Sequence, residues 1–330
     1  MPLDPRMPEL KFALEAVREA ARAAQLVRNR LDVKGIEKRD LSPVTVADYA
    51  CQALVARRLH QAFPEAALVG EEDARDLRGE GGGETLSQVT QFVREFEAAA
   101  TPGKVCDWID CGNGEPVDRF WCLDPIDGTK GYLRGEQYVV ALALIESGKV
   151  TLGVLACPNL REDCTLGKEA SGALVAAVAA EGAWRAPLRG GDDFTQIGVS
   201  SCAEMTRARM LRSVEADHTN VGQLGQLSEL LGLESDPVCL DSQAKYAVLS
   251  AGGGELLVRL LSASRPDYKE KIWDQAAGSI VLEEAGGRIS DLEGRALDFT
   301  QGRTLAFNRG VCASNGVLHE KALEAISQLS

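Results

Sequence analysis

Two successive apolar hairpins limit what this chain can become. Tyr138–Ile145 and Lys149–Cys157 are apolar runs on either side of Glu146-Ser147-Gly148, and Ala173–Ala179 and Ala183–Ala186 flank Glu181-Gly182. Runs of this length bounded by glycine turns read as antiparallel strands. A shorter strand, Phe120–Leu123, precedes them. The middle of the chain is therefore a sheet whose faces need cover. Upstream, Leu10, Leu14, Val17, Ala21, Ala24, Val27 and Leu31 recur at helical spacing, with Glu15, Arg18, Arg22 and Arg28 between them. That pattern predicts an amphipathic first helix. Pro43 breaks the chain, Thr45 is a candidate N-cap, and a second helix is expected to run to about Phe63. Ala66–Val69 reads as a short strand ending at Gly70-Glu71-Glu72-Asp73. GEGGGE (79–84) is expected as a loop, Leu86–Ala100 as a helix, and 101–119 as a polar surface excursion.

Around residue 200 the pattern changes. Strand-like pieces (Met210–Val214, Glu255–Leu261) alternate with helical ones (Val221–Leu231, Trp273–Glu284). The 330 residues also exceed one ordinary core of about 100–200 residues. Two units are expected: an α+β unit over 1–199 and an α/β unit over 200–330. Hydrophobic residues make up 45% and charged residues 26%, which excludes disorder, collagen and coiled coil. The net charge of −13 argues against a nucleic-acid polymer as partner, because such binding rests on Lys and Arg neutralising phosphates. It leaves room for a small anionic substrate where metal ions reverse the local field. No apolar run approaches the roughly 18 residues of a membrane span, and MPLDPRMPEL carries no targeting signature. An intracellular location, cytoplasmic or organellar, is expected. The nine cysteines form no CxxC pair, so free thiols are the expectation. Cys106 and Cys111 fall in a turn-rich piece where exposure is expected, and Cys157 and Cys164 bracket another; exposed thiols there can oxidise, the alternative being four inert thiols, which the acids beside the first pair favour.

The chemistry lies in the acids. In Asp124-Pro125-Ile126-Asp127-Gly128-Thr129 a strand ends and two carboxylates follow. Pro125 restricts φ and favours a tight turn. Such a turn can aim both carboxylates and the Ile126 carbonyl at one point. Oxygen-only donors suit Mg²⁺ rather than zinc. An Asp-rich turn that caps its own backbone is the plainer alternative. Glu71 closes another strand, and Asp274 opens a helix, where an acid also serves simply to meet the helix dipole. With Thr45 as N-cap, Asp48 also reads as the acid of a capping box.

Taken in order, GEED, WCLDPIDGTKGY and KIWDQAAGSIVLEEAGG resemble the signatures of the inositol monophosphatase superfamily of metal-dependent, lithium-sensitive phosphatases. SPVTVADY, DPIDGTKGYLRGEQY, DSQAKY and YKEKIWDQAAG resemble its 3′(2′),5′-bisphosphate nucleotidase branch, from about residue 10 to 316. The resemblance implies a layered αβαβα sandwich. It implies hydrolysis of 3′-phosphoadenosine 5′-phosphate to AMP, with its sulfated precursor as a further substrate. It also implies up to three Mg²⁺ held by Glu71, Asp124, Asp127, Asp274 and the Ile126 carbonyl. Thr129 and Asp48 match the pair that activates the attacking water, and Gly128, Thr129 and Asp274 match the cradle of the scissile phosphate. His218, Ser242, Lys245 and Arg259 match the contacts to adenosine and the 5′-phosphate. His218 alone also reads as a capping or surface residue, and Thr219-Asn220 follow it where the family often has two serines. The rival readings are an inositol phosphate phosphatase and a catalytically silent bisphosphate-binding regulator. A monomer or weak homodimer is expected.

Overall fold

The computed structural model describes residues 3–31, 43–167, 170–191, 193–214, 221–261 and 265–329. Helices α1 (Pro8–Arg30) and α2 (Pro43–Ala62) lead into β1 (Ala67–Gly70), α3 (Arg75–Arg78), α4 (Gly83–Arg94) and α5 (Pro102–Asp110). Then come β2 (Arg119–Asp127), α6 (Thr129–Arg134), β3 (Val139–Glu146), β4 (Lys149–Cys157), β5 (Ala173–Val178), β6 (Gly182–Pro187) and β7 (Thr195–Ile197). The remainder is β8 (Met210–Arg212), α7 (Val221–Leu230), β9 (Val238–Cys239), α8 (Ala244–Ser250), β10 (Leu256–Arg259), α9 (Ala276–Glu284), β11 (Arg288–Ser290), β12 (Val311–Ser314) and α10 (His319–Ser327).

The first seven strands form one sheet in chain order, with β1 parallel to β2 and every later pair antiparallel. Both expected hairpins are present, and the β3–β4 turn places Ser147 and Gly148 at φ 50° and 75°. Positive φ at both central residues matches the twist of the flanking strands. The other five strands form a sheet of order β11-β12-β10-β8-β9, parallel through β10, β8 and β9.

Side-chain alternation sorts the layers. Trp121 and Leu123 of β2 point into a core shared with α1 and α2, where Leu10, Leu14, Val17 and Val27 are buried. Each such aliphatic side chain contributes about 1.5–3 kcal/mol by leaving water. Phe120 and Cys122 point the opposite way, into a core shared with α8, α9 and the inner face of the second sheet. Met210, Leu256, Val258 and Cys312 cover the outer face of that sheet together with α7 and α10. The order is helices, sheet, helices, sheet, helices, the expected αβαβα sandwich. Gly153 lets α9 come close to β4, since a Cβ there would lie 2.7 Å from the Ala277 carbonyl oxygen. Glu19 of α1 is buried between Arg57 (2.5 Å) and Arg58 (2.7 Å) of α2. Removing one partner of such a buried pair costs about 3–5 kcal/mol, because the remaining charge stays desolvated.

Four local expectations are corrected. Pro43 opens α2 instead of breaking the chain, as suits a residue whose missing N–H costs nothing in the first turn. Thr45 and Asp48 therefore lie inside the helix, and the capping-box alternative for Asp48 falls. The loop expected at 79–84 is entered by α4 at Gly83, and that helix stops at Arg94. The supposed surface excursion holds α5, capped by Thr101 and started by Pro102, with Val105 and Ile109 buried. Of the four cysteines expected to be exposed, only Cys111 is; Cys106, Cys157 and Cys164 are buried.

Candidate active site

β1 and β2 run parallel with Gly70 opposite Leu123, so Glu71 leaves its strand beside Asp124. No tight turn forms at Pro125. β2 continues to Asp127, and its register against β3 shifts between Asp124 and Asp127. Proline lacks a ladder donor and is accommodated at such irregularities. Gly128 then takes φ 89°, and α6 starts at Thr129. A Cβ at Gly128 would lie 2.8 Å from that of Ser242. The acidic turn and the DSQAKY segment thus press together where only glycine fits.

Glu71, Asp124, Ile126, Asp127, Gly128, Thr129, Ser242, Lys245, Arg259 and Asp274 all line one cavity of about 360 Å³. Ser213, Asp241, Gln243, Tyr246 and Tyr268 share its wall. Asp48 is buried outside this lining. Among the described residues, no hydrogen bond joins it to Thr129. His218 lies outside the described residues. Gln243 was missed as a site residue although it sits inside a quoted motif. Its backbone N–H donates to Asp127 Oδ2 at 2.5 Å, its Nε2 donates to the Trp273 carbonyl at 3.0 Å, and its Oε1 accepts from the N–H of Gly278 at 2.9 Å. Gln52 was missed too; its side chain brackets the backbone of Glu72 at 2.5 and 3.1 Å. Gly278 serves packing, since a Cβ would collide with the Tyr246 ring.

The cavity holds charges of both signs. Burial holds the Asp124 carboxyl well above its usual range, and Glu71, Asp127, Asp274 and Asp48 push it further. Burial also raises Asp48, with Glu72 and Glu71 adding repulsion. Glu71, though exposed, is raised by the surrounding protein and by Asp127. Asp127 and Asp274 are raised mainly by desolvation, with Lys245 opposing at Asp127 and Arg259 opposing at Asp274. In the same lining Lys245 is almost fully buried, its Nζ 3.3 Å from Ser213 Oγ, and burial lowers its ammonium to about 8. Arg259 pairs with buried Glu270 at 3.0 Å. Ser242 adopts a left-handed φ of 69°, with its Oγ donating to the Asp241 carbonyl.

The acids of the lining fit a hard cation. Asp124 Oδ1 is buried with no hydrogen-bond partner, an arrangement that is costly unless something else satisfies the oxygen. All the donors are oxygens, the preference of magnesium. Among the described residues, no three acidic, histidine or cysteine side chains are placed so that they could already hold a metal ion together; Glu71, Asp124, Asp127 and Asp274 line one cavity.

A sequence model of the inositol monophosphatase family matches residues 7–330. The chain belongs to this family. A 3′(2′),5′-bisphosphate nucleotidase from Oryza sativa is 40% identical over 346 residues, covering 98% of this chain and 94% of its own. A 3′(2′),5′-bisphosphate nucleotidase from Schizosaccharomyces pombe is 37% identical over 341 residues, covering 98% and 96%. Among solved structures, an IMPase from Thermotoga maritima superposes with a TM-score of 0.65 at 21% identity, covering 98% of each chain. An inositol monophosphatase from Anabaena does so at 0.63 and 20%, again covering 98% of each chain. These superpositions place the αβαβα sandwich within the family fold. Among the described residues, no helix is long and apolar enough to cross a membrane.

Proposed function

We propose that this chain is a magnesium-dependent phosphomonoesterase that removes the 3′-phosphate of 3′-phosphoadenosine 5′-phosphate, yielding AMP and phosphate. The observation that carries this reading is that one cavity is lined both by four acids and by Lys245 and Arg259. A substrate with two phosphates on one sugar has an anion for the cations as well as one for acid-bound metal. Relatives named for this activity, covering nearly the whole chain, support the same choice.

Glu71, Asp124, Asp127, Asp274 and the Ile126 carbonyl would hold up to three magnesium ions. Bound there, magnesium supplies Lewis-acid polarisation of the phosphate ester and acidifies water. Thr129 Oγ1, in the cavity lining, orients the attacking water. Asp48 receives the proton through it; a carboxyl whose proton affinity is raised by burial is a better base than a solvated one. The first N–H groups after Gly128 meet the scissile phosphate. Lys245 and Arg259 hold the 5′-phosphate, a charge-assisted contact, and Ser242 lies beside the ribose. His218 is proposed as an adenosine contact on the resemblance alone.

Phosphate release with Mg²⁺ from adenosine 3′,5′-bisphosphate, inositol 1,4-bisphosphate and inositol 1-phosphate tests the reading. The adenosine compound should have the highest kcat/KM. Equal or faster release from the inositol phosphates would overturn the substrate, and no release from any would overturn the activity.

A further inference from the structure

We propose that Arg303, which lies just outside the cavity lining, is a positioning residue that sets the separation of Glu71 and Asp274. The inference rests on reading the four acids of the cavity as a magnesium site. Among the described residues Arg303 makes no ion pair with either acid. Its Nη2 donates to the Gly70 carbonyl, and its Nη1 donates to the carbonyls of Gly112 at 3.2 Å and Gly114 at 3.1 Å. Its guanidinium carbon also lies 4.9 Å from the centroid of the Trp273 ring. Gly70 immediately precedes Glu71, and Trp273 immediately precedes Asp274. One planar cation therefore grips the backbone before one acid and the side chain before another.

The surrounding contacts reinforce the grip. The N–H of Ile272 donates to the Arg303 carbonyl at 3.3 Å, and Lys271 bridges to Thr304. Gly70 is itself tied to the same loop, its N–H donating to the Gly112 carbonyl at 2.8 Å. Trp273 is buried and faces a second cation, Lys271 Nζ, at 5.6 Å. Glu71 belongs to the end of the first sheet, and Asp274 to the approach to α9. Four carboxyls that repel one another need an external restraint to stay near a shared point. A guanidinium suits the task because its fork reaches several carbonyls while its plane stacks on an indole. An ammonium has the charge without the plane.

The test measures Mn²⁺ binding to the full chain by electron paramagnetic resonance without substrate. It also measures KM for adenosine 3′,5′-bisphosphate at saturating Mg²⁺. Arg303→Lys should weaken Mn²⁺ binding about tenfold or more, the usual cost of losing a group that orients metal ligands, with KM near the wild-type value. Trp273→Leu removes the other side of the grip and should do the same. If Arg303→Lys does not fold, Trp273→Leu carries both outcomes. Variants that melt earlier but bind Mn²⁺ like the wild type would show a purely structural role and overturn the proposal. Wild-type protein that binds no Mn²⁺ would overturn the metal reading itself, and this inference with it.

Discussion

The backbone N–H of Gln243 donates to Oδ2 of Asp127 at 2.5 Å, tying a carboxylate at the end of the first sheet to the turn that starts α8. With the side chain of Gln243 holding the Trp273 carbonyl and the first turn of α9, one residue references three segments of the cavity to one another. Asp127 and the segment that leads to Asp274 are thus held by the same side chain and backbone.

Charge neutralisation at Asp124 should separate stability from activity. The raised carboxyls favour the folded state when protonated. That stabilisation is complete below about pH 4, the unfolded value, and is lost as pH rises through the raised folded values. One of these, Glu72, lies at about 7, raised by burial and by Glu71. Chelator-treated protein should therefore melt at lower temperature as pH climbs from acid to neutral. Asp124→Asn removes one buried repelling charge. It should raise the chelated melting temperature at neutral pH by about 2 °C or more, while abolishing turnover and weakening Mg²⁺-induced stabilisation. Differential scanning fluorimetry with and without Mg²⁺ checks both; an unchanged Mg²⁺ response in the variant would remove Asp124 from the ligand set.

Loss of the guanidinium at Arg259 should be substrate-selective. A charge-assisted phosphate contact is worth about 1.5–3 kcal/mol, so Arg259→Ala should raise KM for adenosine 3′,5′-bisphosphate about 10- to 100-fold. The KM for 3′-AMP, which lacks the 5′-phosphate, should hardly move. Arg259 also neutralises buried Glu270, so Arg259→Ala with Glu270→Gln is the matched control that leaves no unpaired acid. Equal losses on both substrates in that double variant would mean that Arg259 acts through the fold.

The hairpins, the first helix and the acidic motifs were legible because each rests on local pattern: apolar runs broken by glycine, a helical stripe, acids at strand ends. The α5 helix carried its own signal in Thr101-Pro102, a cap followed by the residue best tolerated in a first turn. Its polar composition hid that signal. The bulged course of β2 through Pro125 was not legible, because register depends on β3, which lies farther along the chain. Gln52, Gln243 and Arg303 escaped for another reason. They act by holding backbone carbonyls and amides, and no spacing of side chains announces a partner of that kind.

Lys245 sets a pH dependence. Burial lowers its ammonium to about 8, with Asp127 opposing and Arg259 adding to the shift. The group is charged below that value and neutral above it. Attraction for the 5′-phosphate should therefore be present at neutral pH and fade as pH rises past about 8. Profiles of kcat/KM should show an alkaline decline for adenosine 3′,5′-bisphosphate and a flatter one for 3′-AMP. Lys245→Arg keeps its charge throughout and should remove the difference. The same decline for both substrates would assign it to another group.

The cavity draws its lining from both the early and the late part of the chain, which also has a meaning for how the chain is made. Glu71, Asp124 and Asp127 leave the ribosome early, while Asp274 and the α9 helix behind it come after β10, when most of the chain is already synthesised. A chain cut or terminated before that point can keep three of the four acids and still lack the fourth wall. On the proposed function, premature termination should therefore yield a protein without hydrolytic power, rather than a fragment that attacks phosphate esters without selecting among them.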